Sequence, residues 1–259
     1  MLDWFRRKPR FSLDVATFSH CGPVRKENQD SFFLSADKSV FVVADGMGGG
    51  SGGAQASRLV TDAFLKAAET ARGFPDLMKC ASDAIGEANA AIRAYAHEHH
   101  YRQMGSTLAA LFLNSGGGPD AVVCHVGDSR IYRYRDGALD MLTHDHTLAG
   151  ELSRRTSCKN LLDEVAGKAG YLSHVLTRAV GIEETVIPDW RKIDLKEGDQ
   201  FLLCSDGVYD MASPEALKAA FDEGTDAQGV ADRIARAVVE GGAGDNYTAI
   251  ILRVKGVRR

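Results

Sequence analysis

The stretch FVVADG, residues 41–46, places an aspartate at the end of a short apolar run and a glycine directly after it. A run of this length and composition predicts a buried strand, so Asp45 lies where the chain leaves the core. An acid closes an apolar run or stands beside glycine three more times: Asp128 in VVCHVGD, Asp206 in FLLCSDG and Asp245 in GGAGDN. If these strands share a sheet, we expect the four carboxylates to converge at one edge.

Converging carboxylates indicate a bound cation. Like charges raise one another's pKa and resist joint ionisation, and a divalent cation removes that cost. The alternative is a turn, because Asp-Gly is also the commonest hairpin connection, and Asp136-Gly137 between RIYRYR and ALDMLT is interpreted in this way. Asp45 and Asp206 are instead followed by glycine-rich or helical segments, so neither joins two paired strands. The recurrence of the pattern therefore favours a metal site.

The composition is that of an ordinary globular protein. The chain has 259 residues, of which 44% are hydrophobic and 25% charged, and its net charge of −4 argues against a general nucleic-acid binder. No apolar run approaches the ~18 residues of a membrane span, and no signal-peptide core follows Met1. The five cysteines are widely spread and lack a CxxC pair, which argues against a disulfide framework or a zinc knuckle and favours a reducing cytoplasm.

Apolar periodicity predicts one domain over residues 11–255, with a flexible basic tail at 1–10 and a short tail at 256–259. Strands are predicted near residues 12–19, 31–35, 40–44, 106–113, 121–126, 130–135, 138–143, 186–194, 200–204 and 247–254. Helices are predicted at residues 54–72, from Pro75 onward, at 214–222 and at 226–240. Paired helices between runs of strands indicate α+β layering, and the polar stretch at about 145–175 is interpreted as an inserted flap.

The glycine-rich loop GMGGGSGG after Asp45 offers a nucleotide site as an alternative. It contains Gly48-x-Gly50-x-x-Gly53 between a predicted strand and a predicted helix, as dinucleotide-binding proteins do. Asp45 would then direct a carboxylate at the pyrophosphate. We therefore favour another use, in which the glycines bring backbone close to a metal-bound group and leave the Gly46 carbonyl free as a ligand.

The segment VRKENQDSFF supplies two more candidates, although by itself it reads as a charged loop. The guanidinium of Arg25 fits a phosphate in bidentate fashion, and Asp30 is a further acid. His144 and His146, which flank Asp145, are interpreted as structural, with proton transfer as the alternative. Because the candidate ligands are all oxygens, the cation is expected to be Mg²⁺ or Mn²⁺.

Eight short motifs follow one another from about residue 12 to about residue 254. They are Val24-Arg25 with Asn28-Gln29-Asp30, Val43-Ala44-Asp45-Gly46-Met47-Gly48-Gly49, Gly105-Ser106-Thr107, Val126-Gly127-Asp128-Ser129-Arg130, Leu142-Thr143 with Asp145-His146, Leu176-Thr177-Arg178-Ala179 with Gly181, Ser205-Asp206-Gly207, and Asp245-Asn246-Tyr247-Thr248. In this order they resemble the protein phosphatase 2C family in its bacterial form. The resemblance implies a four-layer α-β-β-α sandwich, in which helix pairs flank two antiparallel sheets and a two-metal site lies at one end.

The resemblance also implies a set of metal ligands. Asp45 would bridge both cations, and the Gly46 carbonyl would bind the second. Asp206 and Asp245 would complete the coordination of the first. Asp128, together with Asp206, matches an optional third metal site.

Further roles and two departures follow from the same resemblance. Asp30 would act through metal-bound waters, and Arg25 would hold the substrate phosphate. Gln29 stands where many members have an acid, and Met47 stands where animal relatives have a histidine proposed as the general acid. The insertion at about 145–175 corresponds to the mobile flap beside the site.

These features predict a metal-dependent phosphatase for phosphoserine and phosphothreonine in proteins, in which a water activated by two Mn²⁺ or Mg²⁺ ions attacks phosphorus. One alternative is a catalytically weak member that binds phosphoproteins as a regulator, and another is a two-metal nucleotide phosphodiesterase. The expected partners are phosphorylated proteins, including a eukaryote-like Ser/Thr kinase or its targets. No nucleic acid and no stable membrane insertion are expected, and the protein is expected to be a cytoplasmic monomer.

Overall fold

A computed structural model describes residues 11–37, 39–49, 51–114, 120–154 and 172–257. The strands form two antiparallel sheets. The first sheet has the order β1 (Phe11–His20), β11 (Tyr247–Val257), β10 (Gln200–Cys204), β7 (Arg130–Arg135), β8 (Ala138–Met141). The second has the order β2 (Asp30–Leu34), β3 (Val40–Gly48), β5 (Leu108–Leu113), β6 (Ala121–Val126), β9 (Asp189–Ile193), with β4 (Met104–Ser106) paired to the end of β3.

Helices cover the outer faces of both sheets. The second sheet packs against α1 (Gly52–Thr70) and α2 (Phe74–Glu98), and the first packs against α5 (Pro214–Glu223) and α6 (Ala227–Glu240). Two shorter helices, α3 (Leu148–Arg154) and α4 (Asp206–Tyr209), lie in the connections. The predicted four-layer α-β-β-α sandwich is confirmed.

Alternation along β3 shows why this sequence makes a sandwich. Successive side chains of a strand point to opposite faces. Val40 and Val42 therefore face α1 and α2, whereas Phe41 and Val43 face the first sheet, and all four are fully buried. A strand covered on both faces is apolar throughout, and the run that ends at Asp45 has this composition.

The structure refines several predicted boundaries. The segment predicted as one strand at 106–113 forms two, β4 and β5, because Thr107 leaves the ladder and binds the backbone of Asp45. Strand β11 extends to Val257, two residues past the expected domain boundary. The tail at 1–10 and residues 155–171 of the expected flap lie outside the described residues. Among the residues that the structure covers, every helix is too short or too polar to cross a membrane.

Candidate metal centre

The acidic residues singled out in the sequence meet at one end of the sandwich. Asp30 and Asp45 are opposite each other in the β2–β3 ladder. Asp206 begins α4 directly after β10, and its carboxylate is hydrogen-bonded to that of Asp45. Asp128 lies in the turn between β6 and β7, close enough for its charge to act on Asp45. Asp245 precedes β11 and acts in the same way on Asp206.

Asp45 is held in place through its backbone. Its N–H donates to Oγ1 of Thr107 (2.9 Å), and its carbonyl accepts from the Thr107 N–H (2.8 Å) and from Oγ of Ser106 (3.1 Å). Because both peptide groups are bonded, the carboxylate direction is set by the sheet. The motif Gly105-Ser106-Thr107 carries this function, which the sequence alone did not indicate.

The backbone at Gly46 lies against the first turn of α1. Its N–H donates to the Gln29 carbonyl (3.0 Å), and a Cβ at Gly46 would collide with the carbonyl of Gly53. A Cβ at Gly53 would in turn lie 2.5 Å from the Gly46 carbonyl oxygen. Only glycine fits such a close approach, so these glycines serve backbone packing. The predicted role of the Gly46 carbonyl as a metal ligand stays a prediction.

Asp30 has one satisfied and one unsatisfied carboxylate oxygen. Oδ2 accepts from Oγ of Ser205 (2.7 Å), whereas Oδ1 is buried with no hydrogen-bond partner. Burial raises the pKa of Asp30 to about 7, against the opposing effect of hydrogen bonds from Ser205 and Thr248. An unpaired buried oxygen is costly, and a cation or its bound water would satisfy it.

The acid cluster is electrostatically unfavourable by itself. Burial and then the charge of Asp30 hold the pKa of Asp45 well above its usual range. Burial also raises the pKa of Asp206, where the hydrogen bond with Asp45 opposes the shift and the charge of Asp245 adds to it. Burial, followed by the charge of Asp206, raises the pKa of Asp128 to about 8. A site that is rich in carboxylate oxygens, whose negative charges repel one another, fits a hard divalent cation.

Arg25, expected from the sequence to hold the substrate phosphate, contacts one of the acids. Its Nη2 lies 2.6 Å from Oδ2 of Asp245. Asn246 fixes the other side of this contact: its N–H donates to Oδ1 of Asp245 (2.7 Å), and its amide donates to the carbonyls of Cys21 (2.8 Å) and Glu27 (3.1 Å). The loop that carries Arg25 is thus tied to the loop that carries Asp245.

Two functional candidates were not identified from the sequence. Asp210 lies one helical turn after Asp206, and burial followed by the charge of Asp206 raises its pKa. The Nδ1 atom of exposed His174 is 3.8 Å from Oδ2 of Asp210, and the three residues offer ligand atoms within 4.8 Å of one another. The i, i+4 spacing in DGVYD was the signal available for Asp210. The contact of His174 with Asp210 could not be inferred from the sequence, because the two residues are far apart in the chain.

Comparisons with known proteins identify similar chains. A family model described as Protein phosphatase 2C matches residues 24–238. The serine/threonine protein phosphatase PstP of Mycobacterium tuberculosis is 32% identical over 243 residues, which are 93% of this chain but only 45% of that relative. The protein phosphatase PhpP of Streptococcus pneumoniae is 29% identical over 211 residues, 80% of this chain and 83% of PhpP. In a solved structure, the catalytic domain of PstP in complex with two manganese ions is 30% identical with a TM-score of 0.78, covering 94% of this chain and 99% of that one.

Proposed function

Because the chain belongs to the protein phosphatase 2C family, we propose that it is a metal-dependent phosphatase that hydrolyses phosphoserine and phosphothreonine in proteins. The observation that carries the proposal is the cluster of buried carboxylates with raised pKa values around Asp45, together with the unsatisfied oxygen of Asp30. Similarity to a phosphatase domain solved with two manganese ions supports the same conclusion.

The ligands are assigned by position. Asp45, whose carboxylate contacts Asp206 and lies near Asp30, would hold both ions. Asp206 and Asp245 would bind the first ion and the Gly46 carbonyl the second, while Asp128 with Asp206 would serve a third. When bound, two Mn²⁺ or Mg²⁺ ions would neutralise charge and activate a water for attack on phosphorus.

The remaining chemistry is assigned to residues of the chain. Arg25, whose side chain is 54% exposed, would bind the substrate phosphate through its planar guanidinium. Asp30 would orient water with its free Oδ1. Burial raises the pKa of the Cys124 and Cys204 thiols, so neither is suited to act as a thiolate nucleophile.

The proposal extends to the domain and its partners. Residues 11–255 are proposed as the catalytic domain, acting as a monomer. The substrates are proposed to be phosphorylated proteins, including a eukaryote-like Ser/Thr kinase or its targets. The names of PstP and PhpP support this class of substrate.

The direct experiment is an assay of the purified chain on a phosphothreonine peptide. We expect phosphate release with Mn²⁺ or Mg²⁺ and none after EDTA treatment. Restoration by added Mn²⁺ would show that EDTA removes the ion and does not unfold the protein. Full turnover in metal-free buffer, or no turnover with any divalent cation, would contradict the proposal.

A further inference from the structure

His146 binds both backbone polar groups of Gly127, the residue directly before Asp128. Its backbone N–H donates to the Gly127 carbonyl (3.0 Å), and its ring Nδ1 accepts from the Gly127 N–H (3.1 Å). His146 is fully buried and Gly127 has φ +92°, a conformation that favours glycine. The backbone directly before Asp128 is therefore held by one histidine.

This contact settles the tautomer of the ring. A backbone N–H can only donate, so Nδ1 of His146 carries the lone pair and Nε2 carries the proton. Burial, followed by nearby positive charge, lowers the pKa of His146 to about 4, so the ring is neutral near pH 7. The Nε2–H group lies 3.4 Å from Oδ2 of Asp189 and has no aligned acceptor.

The same tautomer excludes a second metal site. His125, His146 and Asp189 offer three ligand atoms within 4.8 Å of one another, a set that would suit zinc. A cation at Nε2 of His146 would move the ring proton to Nδ1, where it would face the N–H of Gly127. His125, His146 and Asp189 therefore act through hydrogen bonds and not as metal ligands.

Asp189 connects His146 to the segment around the expected flap. Its Oδ1 accepts from Arg178 (2.8 Å), and its Oδ2 lies 3.6 Å from Nη1 of Arg154 in α3. Arg178 also contacts Glu151 of α3 (3.4 Å). Although burial alone would raise the pKa of Asp189, Arg178 lowers it to about 2, so the carboxylate stays ionised beside the His146 ring.

A parallel contact holds the other side of Asp128. Arg130 forms a bidentate pair with Asp145 (2.6 and 3.0 Å), and its guanidinium lies 3.5 Å from the centre of the Tyr209 ring. The Tyr209 hydroxyl donates to the Asp128 carbonyl (3.1 Å). Asp128 thus lies between two sets of contacts, one that leads to Asp145 and one that leads to His146.

We infer that His146 is a positioning residue, which sets the direction of Asp128 by binding the backbone carbonyl and N–H of Gly127. It also links the position of Asp128 to Asp189, Arg178 and α3. The inference rests on the proposed function, because the direction of Asp128 affects catalysis only if the acid cluster binds metal. Outer partners of metal ligands typically contribute about 10–100-fold to metal affinity.

The test compares His146→Ala with His146→Asn. The alanine removes the acceptor for the Gly127 N–H, whereas the asparagine places an amide oxygen near the position of Nδ1 and keeps it. Exposed His97 at the end of α2 provides the control His97→Ala. The measurements are Mn²⁺ binding by titration calorimetry, the Mn²⁺ concentration for half-maximal activity, and the Gly127 amide and His146 ring nitrogens by NMR of the metal-free protein.

We expect His146→Ala to raise the Mn²⁺ concentration for half-maximal activity about tenfold and to weaken the lowest-affinity Mn²⁺ site by calorimetry. The KM for the peptide at saturating Mn²⁺ should be unchanged. His146→Asn should recover most of the loss, and His97→Ala should match the wild type. In the wild type, the ring should be protonated at Nε2 and the Gly127 amide protected from exchange.

An unchanged Mn²⁺ requirement in folded His146→Ala would overturn the inference, and so would a ring protonated at Nδ1 in the wild type. If His146→Ala does not fold, His146→Asn and Asp189→Asn replace it: equal weakening of Mn²⁺ binding in both variants would overturn the role of the Nδ1 acceptor. Wild-type protein that binds Mn²⁺ but hydrolyses no phosphopeptide would contradict the proposed function only, because calorimetry and NMR would still test His146.

Discussion

Nη2 of Arg25 lies 2.6 Å from Oδ2 of Asp245, so the residue assigned to the substrate phosphate contacts a residue assigned to a metal. The hydrogen bond with Asp245 and then the charge of Asp245 raise the pKa of Arg25, which remains a cation. The pair is partly exposed, with 54% and 33% of the side chains accessible, so solvent weakens it. A bound cation would compete with Arg25 for the Asp245 carboxylate and leave the guanidinium for phosphate.

Arg25→Ala is therefore expected to lower kcat/KM for a phosphopeptide by roughly 1.5–3 kcal/mol, the range for a charge-assisted hydrogen bond. Mn²⁺ affinity should stay the same or rise, because Asp245 loses a competing cation. The measurements are steady-state kinetics and Mn²⁺ titration. Lys26→Ala removes a neighbouring exposed charge and should have a much smaller effect. Normal kcat/KM with weakened Mn²⁺ binding would contradict the assignment.

The sequence predicted which acids form the site because strand patterns locate the ends of buried strands. Asp45 and Asp206 each follow an apolar run that is buried on both faces. They lie on different sheets, at the ends of β3 and β10, so they meet through the stacking of the two sheets and not at the edge of one shared sheet. Local periodicity was sufficient to identify these residues as candidates.

The partners of those acids could not be inferred in the same way. Ser205 and Asp30 are 175 positions apart, and Arg25 and Asp245 are 220 apart. Such contacts depend on how the two sheets are stacked, which no local pattern encodes. The two-sided grip of His146 on Gly127 is hidden for the same reason.

Replacing single ligands should separate catalysis from stability. Asp45→Asn, Asp206→Asn and Asp245→Asn should each lower kcat by on the order of a hundredfold or more, since loss of even an outer partner costs about 10–100-fold. Without metal, Asp45→Asn and Asp206→Asn should be more stable than the wild type near neutral pH, because each removes a buried carboxyl group whose raised pKa opposes folding. Asp245→Asn should not gain stability, because it loses the Arg25 ion pair.

The measurements for this series are initial rates at saturating Mn²⁺ and thermal melting in EDTA. Asp62→Asn, at an exposed position of α1, is the control and should change neither quantity. Wild-type rates in any of the three variants would remove that residue from the proposed ligand set.

The metal-free protein should lose stability as the pH rises. An aspartate in an unfolded chain has a pKa of about 3.9, whereas the folded-state pKa is about 7 for Asp30 and about 8 for Asp128. Between these values the folded state binds more protons than the unfolded state, so the free energy of unfolding falls with pH. The stabilisation is complete below about pH 4 and is lost by about pH 8.

Urea unfolding in EDTA at several pH values between 5 and 8 measures this slope. Mn²⁺ should reduce or reverse it, because a cation replaces the protons and binds better to ionised carboxylates. Asp128→Asn should flatten the upper part of the curve. Metal-free stability that rises over this range would show that the carboxylates are already ionised and compensated within the protein.

Ser205→Ala tests a hydrogen-bond donor that lowers the pKa of Asp30 against the effect of burial. Oγ of Ser205 donates to Oδ2 of Asp30 and accepts from the buried N–H of Thr248 (3.0 Å). Its removal should lower the free energy of unfolding by about 1–3 kcal/mol, because a buried donor loses its acceptor. It should also raise the pKa of Asp30, since the hydrogen bond from Ser205 lowers it. The acidic limb of the pH profile of kcat/KM should therefore move to higher pH.

Ser213→Ala is the matched control, since Oγ of Ser213 caps α5 by accepting from the N–H of Ala216 (3.2 Å). Its loss should lower the free energy of unfolding by about 1 kcal/mol without moving the acidic limb. An identical pH profile in Ser205→Ala and wild type would mean that Asp30 does not titrate in the rate-determining state.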